Sequence, residues 1–157
     1  MGFEKVEWEK VTIQKMGIQD LDEVIALESP NPDTRWSKNM FVGEMGNPFG
    51  YCFVMKVEDR CKQRVMGFIC FRNVTEESEL FKICVHSDYR RFGVGKRLME
   101  FYVEFSRRRG IKTFHLEVHI SNQPAIRLYR LFSYESSGVR KNFYQGKFDA
   151  LLMTKTI

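Results

Sequence analysis

Several common signposts are missing from these 157 residues, and each absence excludes something. No apolar run approaches the ~20 residues that a membrane-spanning helix requires. Met1-Gly2-Phe3-Glu4 opens a charged, alternating segment rather than the apolar core of a signal peptide. Gly2 does not begin a myristoylation signal, because Val6 stands where Ser or Thr is needed. The four cysteines, Cys52, Cys61, Cys70 and Cys84, form no Cys-x-x-Cys pair. Three of them lie in apolar, strand-like runs, where a thiol behaves as a small hydrophobe. That usage points away from a disulfide framework or a metal site and toward a reducing, cytoplasmic setting. With no repeat, low-complexity stretch or linker, residues 1–157 read as one domain, long enough to bury a core without staples.

Cations, by contrast, are in excess. Lys and Arg number 25 against 20 Asp and Glu, a formal charge of +5. Much of that excess lies in Arg90, Arg91, Lys96 and Arg97 and in Arg107 to Arg109. A nucleic-acid patch is one reading. A phosphate-rich ligand accounts more economically for the first group, and a solvated helix end for the second.

The first group sits in the stretch that organises the chain, Phe81 to Gly110. Phe81, Ile83 and Val85 alternate as a strand, and Ser87-Asp88 turns the chain. A basic loop with Gly93 and Gly95 follows. Val94, Leu98, Phe101, Tyr102 and Phe105 then carry helical spacing, and Gly110 stands where a helix-terminating glycine belongs. Strand, glycine loop and helix together aim backbone N–H groups at an anion. The phosphate-loop pattern fails, since Arg90 replaces its first Gly and Arg97 its Ser/Thr. The dinucleotide fingerprint fails at Leu98. What remains is Arg90-x-x-Gly93-x-Gly95.

In chain order, Glu7–Gln14 predicts a first strand and Asp20–Glu28 a short helix. Ser29-Pro30-Asn31-Pro32-Asp33 predicts a loop. Ser37 caps a helix over 38–45, with Trp36 and Phe41 spaced as a hydrophobic staple. Gly50–Val57, Val65–Arg72 and Glu79–His86 predict an antiparallel meander. Thr113–Ile120 predicts a strand parallel to the third, because the intervening helix is a crossover. Asn122 caps a helix to about Phe132, with Pro124 in its first turn. Residues 134–144 and 148–155 predict a closing strand pair. The fold class is mixed α/β.

The loop pattern, in this order of elements, is that of the GCN5-related N-acetyltransferases (GNAT), which the chain resembles from about Val11 to Lys155. Three pieces resemble one branch, the RimI-type ribosomal-protein alanine N-acetyltransferases: Phe81 to Gly95, Leu116-Glu-Val-His-Ile-Ser-Asn-Gln-Pro-Ala-Ile-Arg-Leu-Tyr129, and Arg140-Lys-Asn-Phe-Tyr144 with Asp149-Ala-Leu-Leu-Met153. Phe132-Ser133-Tyr134 and His119-Ile120 depart from that branch, and the connector Gln145-Gly146-Lys147 is short.

The resemblance implies acetyl-CoA as cosubstrate, with its pyrophosphate on the loop Arg90, Arg91, Phe92, Gly93, Val94, Gly95 and Lys96. It implies pantetheine against the amides of Ile83, Cys84 and Val85 and against Asn122, and direct transfer with no acyl-enzyme on Cys84. Glu117 would be the general base, acting directly or through water, and Tyr129 would protonate the departing thiolate. The acceptor would be a protein N-terminus, such as that of a ribosomal protein, with Glu28 and Tyr144 lining its groove. Other readings of the same residues stay open. Glu117 could be half of a structural ion pair, Tyr129 could be core, and His115-x-Glu117-x-His119 could chelate a metal. The acceptor could be a lysine or a small amine, or the chain a non-catalytic acyl-CoA or nucleic-acid module.

Overall fold

Alternation along the apolar runs builds one seven-stranded sheet in the computed structural model, which describes residues 5–28 and 34–157. In chain order the elements are β1 (Val11–Lys15), α1 (Leu21–Leu27), α2 (Lys38–Met45), β2 (Gly50–Asp59), β3 (Lys62–Val74), β4 (Glu77–Val85), α3 (Val94–Arg107), β5 (Thr113–His119), α4 (Gln123–Leu131), β6 (Glu135–Tyr144) and β7 (Phe148–Thr156). The strand order is β1-β2-β3-β4-β5-β7-β6. Every pairing is antiparallel except β4 with β5. Among the described residues, no helix is long and apolar enough to cross a membrane.

Two apolar clusters form on the sheet. One gathers Met55, Ile69, Leu98, Tyr102, Phe114 and Ile126 under α3 and α4. The other gathers Leu21, Val24, Phe41, Val54, Phe68 and Cys70 under α1 and α2. Local signals set the helix starts. Ser37 accepts the Met40 N–H, Asn122 accepts the Ala125 N–H, and Trp36 meets Phe41 edge-on at 5.2 Å.

Three expectations need correction, besides the loop at 29–33, which lies outside the described residues. The first half of Glu7–Gln14 is a 3-10 turn over Trp8–Lys10, closed by Lys10 N–H to the Glu7 carbonyl and by their ion pair at 2.7 Å. Trp8 instead packs under the Arg97 guanidinium, 4.3 Å from the ring centre. The polar segment 58–64 is mostly strand. Its turn is only Arg60-Cys61, both at positive φ, as a two-residue hairpin demands.

The third correction shapes the site. In β4, Cys70 pairs with Lys82 but Phe71 with Leu80, so Phe81 is an inserted residue. Such a bulge bends its strand and increases the twist. The parallel ladder to β5 runs only from Glu77 to Leu80, against Thr113 to Leu116. Beyond the bulge, β4 and β5 part.

Candidate active site

Where two strands of a sheet separate, their facing main-chain groups lose their partners. His86 N–H reaches the Met66 carbonyl, so by alternation the main chain of Cys84 also faces β3. That of Ile83 and Val85 faces the gap. Of the three amides expected to meet pantetheine, those of Ile83 and Val85 therefore face the gap and that of Cys84 does not. Cys84 points its side chain to the α1–α2 side, within 3.7 Å of Glu28 Oε1.

On the α3 side of the gap lies a cleft of about 730 Å³, lined by Ile83, Val85, Arg90, Arg91, Gly93, Gly95, Lys96, Ala125 and Tyr129 among others. Val94 and Asn122 line it too. Phe92 does not, and packs against the large core cluster instead. Gly93 is the N-cap of α3, at φ +85, and no side chain caps that end. The first-turn N–H groups thus open onto the cleft beside three cations, which is the physical requirement for holding a phosphate. A Cβ on Gly95 would sit 3.4 Å from Leu128 and 3.7 Å from Val85, on the floor between β4 and α4. The cleft is polar and cationic at one end and apolar along the arm, so its residues fit a phosphorylated, pantetheine-bearing ligand. Gly93→Ala is expected to cost about 1–2 kcal/mol, since left-handed backbone is unfavourable with a Cβ. Urea unfolding would show it as a lower midpoint with unchanged slope.

A second cleft, of about 900 Å³, opens on the other side. Its walls include Glu28, Trp36, Lys82 and Cys84, then Glu117, His119, Arg140, Phe143 and Tyr144. Ile83, Asn122 and Tyr129 line both clefts. Tyr129, the predicted acid, thus stands at the junction of the clefts, and Glu117, the predicted base, lines the second of them.

Glu117 lies on β5, its side chain 24% exposed and 2.8 Å from Arg140 of β6. The ion-pair reading and the cleft reading of Glu117 are therefore both realised at once. His115 and His119, its neighbours by alternation, go elsewhere. His115 contacts Thr154 and Glu77. His119 Nδ1 accepts from the Ser121 N–H, while its ring stacks on Tyr144 at 4.9 Å. Among the described residues, no group of three or more His, Cys, Asp or Glu gathers in a way that could hold a metal.

Burial shifts several acidities here. Burial pushes the Tyr129 phenol well above its usual range, with the Cys84 thiol adding to it. Burial also pushes up the Tyr144 phenol, helped by the Glu117 charge. The Cys84 thiol rises to about 12, chiefly by burial and then by the Glu28 charge. So protonated a thiol is a poor nucleophile. Glu28 lines this second cleft, and its carboxylate is sealed by Lys82 at 2.8 Å and by the Trp36 N–H. Lys82 and Arg140 themselves escaped notice, since their partners lie 54 and 23 residues away.

The model of the acetyltransferase (GNAT) family matches residues 18–134. The ribosomal protein bS18-alanine N-acetyltransferase of Salmonella typhimurium is 30% identical, over 93% of this chain and 97% of that protein. The crystal structure of the ribosomal-protein-S18-alanine N-acetyltransferase from Escherichia coli is 29% identical and covers 94% of both chains at a TM-score of 0.81. Arabidopsis thaliana NAA60 in complex with acetyl-CoA, 19% identical, shares the fold at a TM-score of 0.82 over 94% of this chain and 98% of that one.

Proposed function

The chain belongs to the GNAT family of acetyltransferases, and on that premise we propose that it moves the acetyl group of acetyl-CoA to the α-amine of a protein N-terminus. A ribosomal protein is the acceptor that its relatives suggest. The observation that carries the reading is the junction of two clefts at Ile83, Asn122 and Tyr129, with Glu117 in the wall of the second. One cleft suits a phosphorylated donor, and the other is wide enough for a chain end. All 157 residues serve as one acetyltransferase domain, acting in the reducing cytoplasm.

In this reading the α3 N-terminus, Arg90, Arg91 and Lys96 hold the donor's phosphates, while Ile83 and Val85 offer main-chain groups along its arm. When bound, acetyl-CoA supplies an activated acyl group. Glu117 takes a proton from the incoming amine, directly or through water, and Tyr129 donates to the departing sulfur. Main-chain N–H groups of the parted β4 steady charge on the acyl oxygen. An α-amine suits this machinery, because its pKa near ~8 makes deprotonation cheap at neutral pH, whereas a lysine near ~10.4 asks more of one carboxylate.

The test is thiol release from acetyl-CoA with peptides bearing free or blocked N-termini, each with and without an internal lysine. Turnover is expected to vanish on blocking the N-terminus and to ignore the lysine. Turnover that survives blocking and needs the lysine would overturn the α-amine reading.

A further inference from the structure

Glu28, Glu79 and Glu117 line the acceptor-side cleft, and the first and last of these carboxylates are bound very differently. Glu117 pairs directly with Arg140 at 2.8 Å, and the Arg140 side chain is 53% exposed. Glu28 is fully covered, and its partner Lys82 is only 10% exposed. Lys82 Nζ donates to Glu28 Oε1 at 3.1 Å, to Oε2 at 2.8 Å and to the Thr34 carbonyl. Glu28 Oε2 also accepts the Trp36 N–H, and the Trp36 ring lies 5.7 Å from the same ammonium. These groups line the cleft together. Two carboxylate oxygens, a carbonyl and an indole face form a complete ammonium site, and the chain fills it with its own lysine. Both residues line the cleft, but the Lys82 side chain keeps some exposure and the Glu28 side chain has none, so Lys82 is the more open partner of the pair.

We propose that Lys82 masks a cation-binding site built on Glu28, and that this masking selects acceptors whose first side chain is uncharged. The selectivity half rests on the α-amine reading given above; the masked site does not. Alternation on β4 beyond the bulge sends Lys82 and Cys84 to the same side, and that geometry keeps the ammonium on the carboxylate. A cationic first residue then meets a wall whose anion is already neutralised, and it meets the lysine's own charge. A small neutral residue meets neither penalty. Discrimination here works by occupying the attractive group as much as by shaping space.

Two measurements test this. Lys82→Ala removes the propylammonium portion of the side chain, so n-propylammonium chloride is expected to raise its melting temperature above that in equal sodium chloride. The same salt should leave the wild type and Lys82→Ala/Glu28→Gln unmoved. In the second measurement, kcat/KM is compared for peptides beginning with Ala and with Arg. Lys82→Ala should shift the ratio toward Arg by about tenfold or more, and adding Glu28→Gln should reverse the shift. Loss of the ammonium effect would overturn the masked site. An ammonium effect with an unchanged peptide ratio would overturn the selectivity. An ammonium effect alongside no wild-type turnover on any peptide N-terminus would instead refute the α-amine reading while sustaining the masked site. If Lys82→Ala fails to fold while the charge-neutral double variant folds and n-propylammonium rescues the single variant, the masked site stands.

Discussion

Glu117→Gln is expected to lower kcat by about 10²–10⁴-fold, the usual contribution of a positioned general base, while acetyl-CoA binding stays as it was. The amine arrives mostly protonated near neutral pH, and it cannot attack a carbonyl until that proton leaves. Of the three carboxylates that line the acceptor-side cleft, Glu28 is sealed by Lys82, and Glu79 lies on the stretch of β4 that is still paired with β5. Glu117 is the one on β5 that alternation directs into the cleft, with part of its surface open. Gln keeps the shape and can still accept a hydrogen bond from Arg140, so the fold should be undisturbed. A half-exposed pair of this kind contributes only ~0–1 kcal/mol to stability.

The rival account, in which Glu117 only anchors β6 through Arg140, makes a different demand. It requires Glu117→Gln and Arg140→Ala to act alike, through stability or acceptor KM, with kcat nearly intact. Steady-state kinetics on both variants, with donor binding measured separately, decides between them. A Glu117→Gln enzyme whose kcat stays within a few-fold of wild type would sink the general-base role.

The signals that could be read from sequence were those that act over a few residues. Ser37 and Asn122 cap their helices, Trp36 and Phe41 staple one of them, and Gly93 takes the left-handed turn before α3. Each follows from local chemistry, so one sequence carries it. The bulge at Phe81 does not. Phe81, Ile83 and Val85 alternate without interruption, and alternation predicts one shared face. In the fold, Leu80 joins Ile83 and Val85 against the large core cluster, while Phe81 turns toward Trp36 at 6.3 Å and lies under Arg72. The inserted residue shows only against the partner strand, where Phe71 and Cys70 skip it. Register is a property of two strands, and one strand's pattern cannot reveal where it slips.

The same limit explains the site. The residues proposed for its chemistry could be named because they lie within recognisable segments, but their charged partners come from far along the chain. Arg140 reaches Glu117 from a strand that must first pair with β7, and Lys82 reaches Glu28 across the parted edge of β4. Without the bulge, β4 and β5 would go on pairing, and neither cleft would exist.

Tyr129→Phe is expected to lower kcat by about 10²-fold, the low end for a positioned proton donor, with little effect on either KM. The residue lines both clefts and is almost wholly buried, so its ring holds the passage between them whether or not its hydroxyl reacts. Phe preserves that ring, and it isolates the hydroxyl. Burial raises the pKa of this phenol above its usual value, which fixes the sign of the pH dependence. The neutral form is the one favoured in the folded protein. Its stabilising contribution is complete below the ordinary tyrosine value of ~10 and is lost only as pH rises through the higher folded value. Between about pH 6 and 9 the phenol therefore stays protonated and ready to donate, so the variant's deficit should be the same across that range, with the shape of the profile unchanged. A phenol held so firmly protonated is first a hydrogen-bond donor to sulfur as charge develops there. The dry wall that weakens the phenol as an acid also strengthens the thiolate as a base, which keeps the proton transfer balanced. A donor thioester with a more acidic leaving thiol needs less of this help, and with such a donor the gap between wild type and Tyr129→Phe should narrow. An equal gap with both donors would rule out Tyr129 as the group that protonates the leaving sulfur.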